Sequence, residues 1–295
     1  MDNTGMIIKC VAGVYDVLIE GAFYSAVAKG NFRSKNLTPL VGDKVNIKFS
    51  QREGEQNLIT EILPRKNALL RPPVANVDTL LITVAVKKPN PDLRLADLLI
   101  CYSRMLGIEP IICINKSDYN EESAKELAQQ FIKNDIRAFV TSSINDEGIN
   151  ELKTAINKGI TCFCGQSAVG KSSLTNLLLG KEMFKTGGLS KKTERGKHTT
   201  RHSELVPFAE GKFLADTPGF SLLEMPQFSP EDFKKLYFEF EEYAQKCRFN
   251  GCNHVNEPDC AVKDAVENGD LSKERYERYK ELFNEVNEKW RKRYD

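Results

Sequence analysis

Two groups of residues in this sequence have the types and spacings of working chemistry. The first is Cys247-x4-Cys252-x-His254-x5-Cys260, three thiols and one imidazole within 14 residues. That Cys3His set suits tetrahedral zinc, and four protein ligands leave no open position for water, so the site is read as structural. The loop around it is short and polar, and a bound ion supplies the stability that burial does not. The alternative is a set of free or disulfide-forming cysteines, which a reducing compartment disfavours. The other cysteines, Cys10, Cys101, Cys113, Cys162 and Cys164, sit in apolar surroundings and read as buried small hydrophobes.

The second group is spread between residues 115 and 219. Gly165, Gln166, Ser167, Ala168, Val169, Gly170, Lys171 and Ser172 follow the apolar run 160–164 and precede the helical run 173–179, which begins at Ser173. They fit G-x-x-x-x-G-K-[ST] in the strand–loop–helix context that motif requires. Backbone N–H groups of such a loop turn toward phosphates, and the helix N-terminus adds partial positive charge. Lys171 is then the residue for the β- and γ-phosphates, and Ser172 for magnesium. Asp216 and Gly219 match D-x-x-G after the strand-like run 212–215, with Asp216 toward magnesium and the Gly219 N–H toward the γ-phosphate. Asn115, Lys116, Ser117 and Asp118 match N-K-x-D after the apolar run 108–114. A carboxylate there accepts from guanine N1–H and N2–H2, whereas adenine would leave Asp118 unpaired. Thr141, Ser142 and Ser143 end the run 136–140 and offer backbone N–H groups to the guanine O6.

Residues 185–201 carry Lys185, Lys191, Lys192, Arg195, Lys197 and Arg201 against one acid, Glu194. With Gly187, Gly188 and Gly196, this reads as a first switch in which Thr199 or Thr200 binds magnesium and the γ-phosphate; a solvated basic loop is the alternative. The position after D-x-x-G, where Ras-type enzymes place a water-orienting Gln, is Phe220, so intrinsic hydrolysis is expected to be slow. His198 is the local candidate for positioning the water, with contact to RNA or solvent as its alternative. Ala168 stands where some potassium-activated GTPases have Asn, so nothing here supports potassium dependence.

The elements that must hold these groups follow from periodicity. Residues 1–66 show short alternating runs at 13–19, 23–28, 45–49 and 58–63 punctuated by glycines, which suggests a small barrel of the OB type. From 67 to 224, apolar runs at 77–86, 108–114 and 160–164 alternate with helical spacing at 93–105, 121–132 and 149–156. That pattern implies a mostly parallel sheet covered on both faces. From 225 to 295, helices at about 230–245 and 272–293 flank the cysteine cluster, the first opened by Ser229 and Pro230. Lys and Arg number 42 against 41 Asp and Glu, so the net charge of +1 does not by itself point to nucleic acid. No apolar run reaches the ~18 residues of a membrane helix. The expectation is a cytoplasmic monomer that does not engage membranes.

N-K-x-D precedes the phosphate loop here, the reverse of the familiar order, so one site forms only if the chain is circularly permuted. That order, the β domain ahead of it and the Cys/His cluster behind it resemble the circularly permuted small ribosomal subunit biogenesis GTPases, the RsgA family, over essentially the whole chain. The resemblance implies an OB-like barrel, a permuted P-loop GTPase domain and a helical zinc-binding domain, with zinc on Cys247, Cys252, His254 and Cys260. It also implies hydrolysis of GTP to GDP, stimulated by a small ribosomal subunit whose rRNA is a partner and whose late assembly or maturation is the task. A GTP-gated RNA-binding factor with incidental hydrolysis is a second reading, which Phe220 favours. A P-loop kinase or ATPase is a third, which Asp118 opposes.

Overall fold

A computed structural model describes residues 3–30, 32, 37–52, 54–70, 72–180, 204–216 and 228–293. The chain opens with β1 (Thr4–Val11), β2 (Val14–Ile19), β3 (Ala22–Ala28), β4 (Lys44–Lys48) and β5 (Asn57–Ile62). They pair in the order β1-β2-β3-β5-β4, and a further pairing of β4 with β1 closes the ring. The β3–β5 pairing is parallel and those of β1 with β2 and β2 with β3 are antiparallel. Alternation fills the interior: Ile7, Val17, Val45, Ile47 and Ile59 are buried. Closure leaves no unpaired edge within the ring, and this five-strand order is the OB-like barrel the sequence suggests.

After the short pair β6 (Ala68–Leu69) and β7 (Val74–Ala75), the chain alternates strand and helix. It runs β8 (Val77–Ala85), α1 (Leu93–Met105), β9 (Glu109–Asn115), α2 (Glu121–Ile132), β10 (Ala138–Val140), α3 (Ile149–Ala155), β11 (Ile160–Cys164) and α4 (Lys171–Leu179). The hairpin β12 (Glu204–Ala209) and β13 (Lys212–Asp216) follows. β10 pairs with β9 and β11 with β13, both parallel. β8 and β11 read as near-continuous apolar runs because they are buried on both faces.

The last part holds α5 (Pro230–Lys235), α6 (Glu241–Ala244), α7 (Ala261–Glu267) and α8 (Lys273–Arg291). The helix expected over 230–245 is interrupted by a 3-10 turn at Phe238–Phe240. An unbroken helix would put Glu239 on the side away from the stripe of Phe233, Tyr237 and Phe240. The interruption instead turns Glu239 inward, where its side chain is only 2 % exposed between two arginines. The aromatic core packs around Tyr279, whose ring centroid lies 4.7 Å from that of Tyr237 and 5.0 Å from that of Phe240. By contacts the chain divides into two compact units. One comprises Met1–Leu80, Lys153–Phe163 and Ser172–Leu223, and the other Leu81–Leu152, Cys164–Lys171 and Glu224–Asp295. No helix among the described residues is long and apolar enough to cross a membrane.

Candidate nucleotide site and metal centre

The carboxyl ends of parallel strands are where open α/β sheets hold ligands, and the motif residues of this chain emerge there. Asn115, the last residue of β9, is fully buried. Its Nδ2 donates to the Val169 carbonyl at 2.8 Å, while its Oδ1 accepts from Thr141 Oγ1 at 3.1 Å and from the Ser143 N–H at 3.3 Å. One amide therefore ties N-K-x-D to the phosphate loop and to the 141–143 segment. Lys116, in the left-handed region at φ 66°, donates from Nζ to the Ala168 carbonyl at 2.8 Å and also to the carbonyl of Lys88. Asp118 Oδ1 accepts from Ser142 Oγ at 2.8 Å, which orients the carboxylate. Ser117 is buried, its N–H donating to the Thr141 carbonyl at 3.1 Å.

Two glycines of the phosphate loop are required by its neighbours. Gly165 (φ +121°) and Gly170 (φ +100°) sit in conformations that L side chains rarely adopt. A Cβ on Gly165 would strike the Thr83 carbonyl, and one on Gly170 would strike the Asn115 amide. The second glycine is thus imposed by the base-reading motif as much as by the phosphates. Lys171, the first residue of α4, is half-buried and donates to the Gly165 carbonyl at 2.8 Å and to that of Gln166. Burial pulls its ammonium below the usual lysine range. Ser167, Ala168, Ser172 and Ser173 are exposed. Asp216 ends β13; its side chain, together with His198, Thr199, Thr200 and Gly219, lies outside the described residues.

Sequence reasoning missed the segment from Lys87 to Asp92. Its Lys88 carbonyl accepts from Lys116, and its Asp92 N–H donates to Gln166 Oε1 at 3.3 Å, so it touches both motifs. The available signal was position: this segment leaves the carboxyl end of β8, the edge the other motifs share.

The metal centre is assembled in the 247–260 loop. A tetrahedron with metal–sulfur bonds near 2.3 Å and metal–nitrogen bonds near 2.0 Å separates sulfurs by about 3.8 Å and sulfur from nitrogen by about 3.5 Å. Cys247 Sγ lies 3.8 Å from Cys260 Sγ, and His254 Nδ1 lies 3.6 and 3.4 Å from those two sulfurs. All four ligand atoms, Cys252 Sγ included, fall within 4.8 Å of one another. The donor set and its spacing fit zinc. Burial, with a smaller contribution from Lys234, holds His254 below its ordinary pKa, which keeps the imidazole neutral as a ligand must be. As a free thiol Cys252 is pushed up to about 12 by burial, and a divalent cation bound there would ionise it. The loop is also braced by groups the sequence did not flag. Tyr276 Oη donates to the His254 carbonyl at 2.9 Å and Tyr279 Oη to that of Asn253 at 2.6 Å. The Glu257 carboxylate accepts from the N–H groups of Asn253, Val255 and Asn256 at 2.9, 3.1 and 3.1 Å.

Motifs scrambled along the chain yet stitched together in space belong to a P-loop sheet whose strands are connected in a shifted order, and the class is the circularly permuted GTPases. Family comparison agrees: the RsgA GTPase model matches residues 62–226 and the RsgA N-terminal domain model matches residues 4–55. The chain belongs to the RsgA GTPase family and is accordingly a hydrolase acting on GTP. It is 44 % identical to the small ribosomal subunit biogenesis GTPase RsgA of Caldanaerobacter subterraneus subsp. tengcongensis, over 98 % of each chain. It is 42 % identical to the protein of that name from Agathobacter rectalis, over 96 % of this chain and 98 % of the other. The crystal structure of YjeQ from Thermotoga maritima superimposes with a TM-score of 0.79 at 33 % identity, covering 97 % of this chain and 99 % of that one. YloQ, described as a circularly permuted GTPase, gives 0.80 at 32 % identity over 98 % and 96 %.

Proposed function

We propose that this chain binds GTP between the N-K-x-D, 141–143 and phosphate-loop segments and couples its hydrolysis to late assembly of the small ribosomal subunit in the cytoplasm. The observation that carries the reading is the Asn115–Val169 bond at 2.8 Å, beside Lys116–Ala168 at the same length. It ties the segment read as a guanine reader to the loop read as a phosphate cradle. Asp118, steadied by Ser142, receives the base; Ser117, Thr141 and Ser143 shape the wall against it. The N–H groups of 165–171 and the N-terminus of α4 receive the phosphates. Lys171 leaves its own loop's carbonyls for phosphate oxygens, which are stronger acceptors for its ammonium. Ser172, Asp216 and one of Thr199 and Thr200 would hold magnesium, which would supply charge neutralisation to the phosphates. Gly219 senses the γ-phosphate, and His198 positions the attacking water.

The reading includes a division into a barrel at 1–66, a GTPase domain at 67–224 and a zinc-binding helical domain at 225–295, acting as a monomer on rRNA. Its support for the subunit is the shared name of relatives matched along nearly the whole chain. The test is co-sedimentation with purified small subunits in GDP, GTP and a non-hydrolysable analogue, alongside the hydrolysis rate. Nucleotide-dependent association and a rate that rises with subunits are expected. Association without a rate increase supports the gated RNA-binding reading, in which Phe220 leaves hydrolysis incidental. Absence of association removes the subunit altogether.

A further inference from the structure

Helix α1 touches the nucleotide site at one end and the zinc-bearing region along its length. At its N-terminus, Asp92 caps the helix by accepting the Leu95 N–H at 2.9 Å, and the Asp92 N–H donates to Gln166 Oε1 in the phosphate loop at 3.3 Å. The cap cannot shift without the helix following. One turn further in, Asp97 is fully buried and takes two arginines of α8: Arg275 on one oxygen and Arg278, at 2.5 Å, on the other. Near the helix's end, Arg104 bonds Glu239 at 2.7 Å and the Leu236 carbonyl at 2.7 Å, while Glu239 also takes Arg275 at 2.6 Å. Asp92 and Arg104 are about 18 Å apart along the helix axis.

The charged junction is rich in donors. Three arginines face two carboxylates, and Arg275 Nη2, Arg278 Nη2 and the Tyr237 hydroxyl are buried without an acceptor. The unsatisfied donors are costly where they stand in a low-dielectric interior, so a re-pairing that reaches an acceptor is open to this network. It can therefore register a small displacement of α1 as a change of partners, the two-arrangement element that coupling between sites requires.

We propose that α1 is a strut coupling nucleotide binding at the phosphate loop to the zinc-bearing region, with Gln166 as the positioning residue at one end and the Arg104–Glu239–Arg275–Asp97 junction as the reader at the other. The proposal rests on the nucleotide site described above. Coupling of this kind is reciprocal, so it is read from both ends.

The experiment is a double-mutant cycle on the full chain, with Arg104→Met and Gln166→Ala, alone and combined. Fluorescent GDP affinity is the first readout and amide exchange of 276–283 with and without GDP is the second. Arg104→Met leaves Glu239 paired with Arg275, and its fold is checked by circular dichroism and zinc content; Arg104→Lys replaces it if it does not purify. In the parent, GDP slows exchange in 276–283, and in Gln166→Ala it does not. Arg104→Met alters GDP affinity about three- to tenfold, the range of a 1 kcal/mol-scale coupling, but less than twofold when Gln166 is already Ala. Equal effects of Arg104→Met in both backgrounds, or exchange that ignores GDP in the parent, overturn the strut while leaving the nucleotide site intact. A parent chain that does not bind GDP overturns the site and the strut together.

Discussion

Asn115→Ala tests the joint on which the nucleotide site depends. The substitution removes a fully buried amide that holds three partners from two other segments. Thr141 Oγ1 keeps Cys113 Sγ at 3.2 Å and the Thr141 N–H keeps the Ile114 carbonyl at 2.8 Å, but the Val169 carbonyl and the Ser143 N–H each lose their bond to the end of β9. Stranding a buried donor or acceptor costs about 1–3 kcal/mol. Two such groups set a ceiling of about 6 kcal/mol, and water entering the space left by the amide brings the expectation to about 2–4 kcal/mol. The nucleotide binds only the chain whose loops are in register, so apparent affinity falls with the fraction that is. At 1.4 kcal/mol per tenfold, a loss falling wholly on binding is roughly 30- to 700-fold. Titration of fluorescent GDP, with a thermal melt beside it, divides the loss between binding and folding. Asn115→Asp, which sets a carboxylate oxygen against the Val169 carbonyl, binds more weakly than the Ala variant. Affinity within about twofold of the parent, with an unchanged melt, would refute the claim that Asn115 holds the loops together.

Asp118→Asn loses guanine affinity by at least about a hundredfold and gains relative affinity for xanthine nucleotides, whose C2 carbonyl accepts from the new amide; an unchanged GTP-to-XTP preference in competition binding removes Asp118 from base recognition. His198→Ala lowers the subunit-stimulated single-turnover rate by about 10²-fold or more if His198 positions the water, and an unchanged rate takes it out of the mechanism. Cys260→Ser drops zinc content below one ion per chain and lowers the melting temperature, measured by elemental analysis and calorimetry; full zinc occupancy in this variant argues against a Cys3His site. Burial alone would raise the Glu239 carboxyl, but Arg275 and Arg104 outweigh it and hold it below its ordinary value of 4.5. Its folded pKa being the lower one, Glu239 stabilises the chain above that ordinary value and the contribution is lost as pH falls through the folded one. Glu239→Gln therefore costs about 3–5 kcal/mol at neutral pH and flattens the acid limb of the stability profile; parallel profiles for parent and variant would contradict this.

How much of this was legible in the sequence depended on what each residue answers to. The ranges 93–105 and 121–132 coincide with α1 and α2, because Asp92 and Asn120 cap them and their apolar stripes face the sheet. The run 160–164 coincides with β11, a strand buried on both faces. The phosphate-loop and N-K-x-D motifs announce themselves because their spacing is set by a ligand rather than by packing. β1 and β12 were not singled out: β1 reads Thr-Gly-Met-Ile-Ile-Lys-Cys-Val, with consecutive apolar residues and no clean alternation. Pairing with both β2 and β4, and a bulge between Ile7 and Lys9, account for the broken period. The interruption at 238–240 was illegible for a related reason: its cause is Glu239 meeting arginines at positions 104 and 275, which local periodicity does not see. The expectation that the cysteine loop lacked support from burial also needed its partners, since Tyr276 and Tyr279 reach it from α8.

Permutation alters which segments are covalent neighbours but not which strand ends face the ligand. The Asn115–Val169 bond joins residues 54 apart in sequence as readily as a short loop would, because β9 and β11 flank β8 in the sheet and both segments leave their strands at the carboxyl ends. What the rewiring changes is the route by which the site reaches the rest of the chain. Asp97 and Arg275 are 178 residues apart, yet they share a buried ion pair. The cost of removing those charges from water is recovered only while both partners stay in place. The C-terminal region therefore joins the guanine-reading half through a contact that penalises separation steeply and leaves donors free for a second pairing. A purely apolar seam would grip as well but would slide without discriminating between positions. Charges at this junction make the arrangements they permit definite, and the acid limb of stability and the Arg104–Gln166 cycle both measure that definiteness.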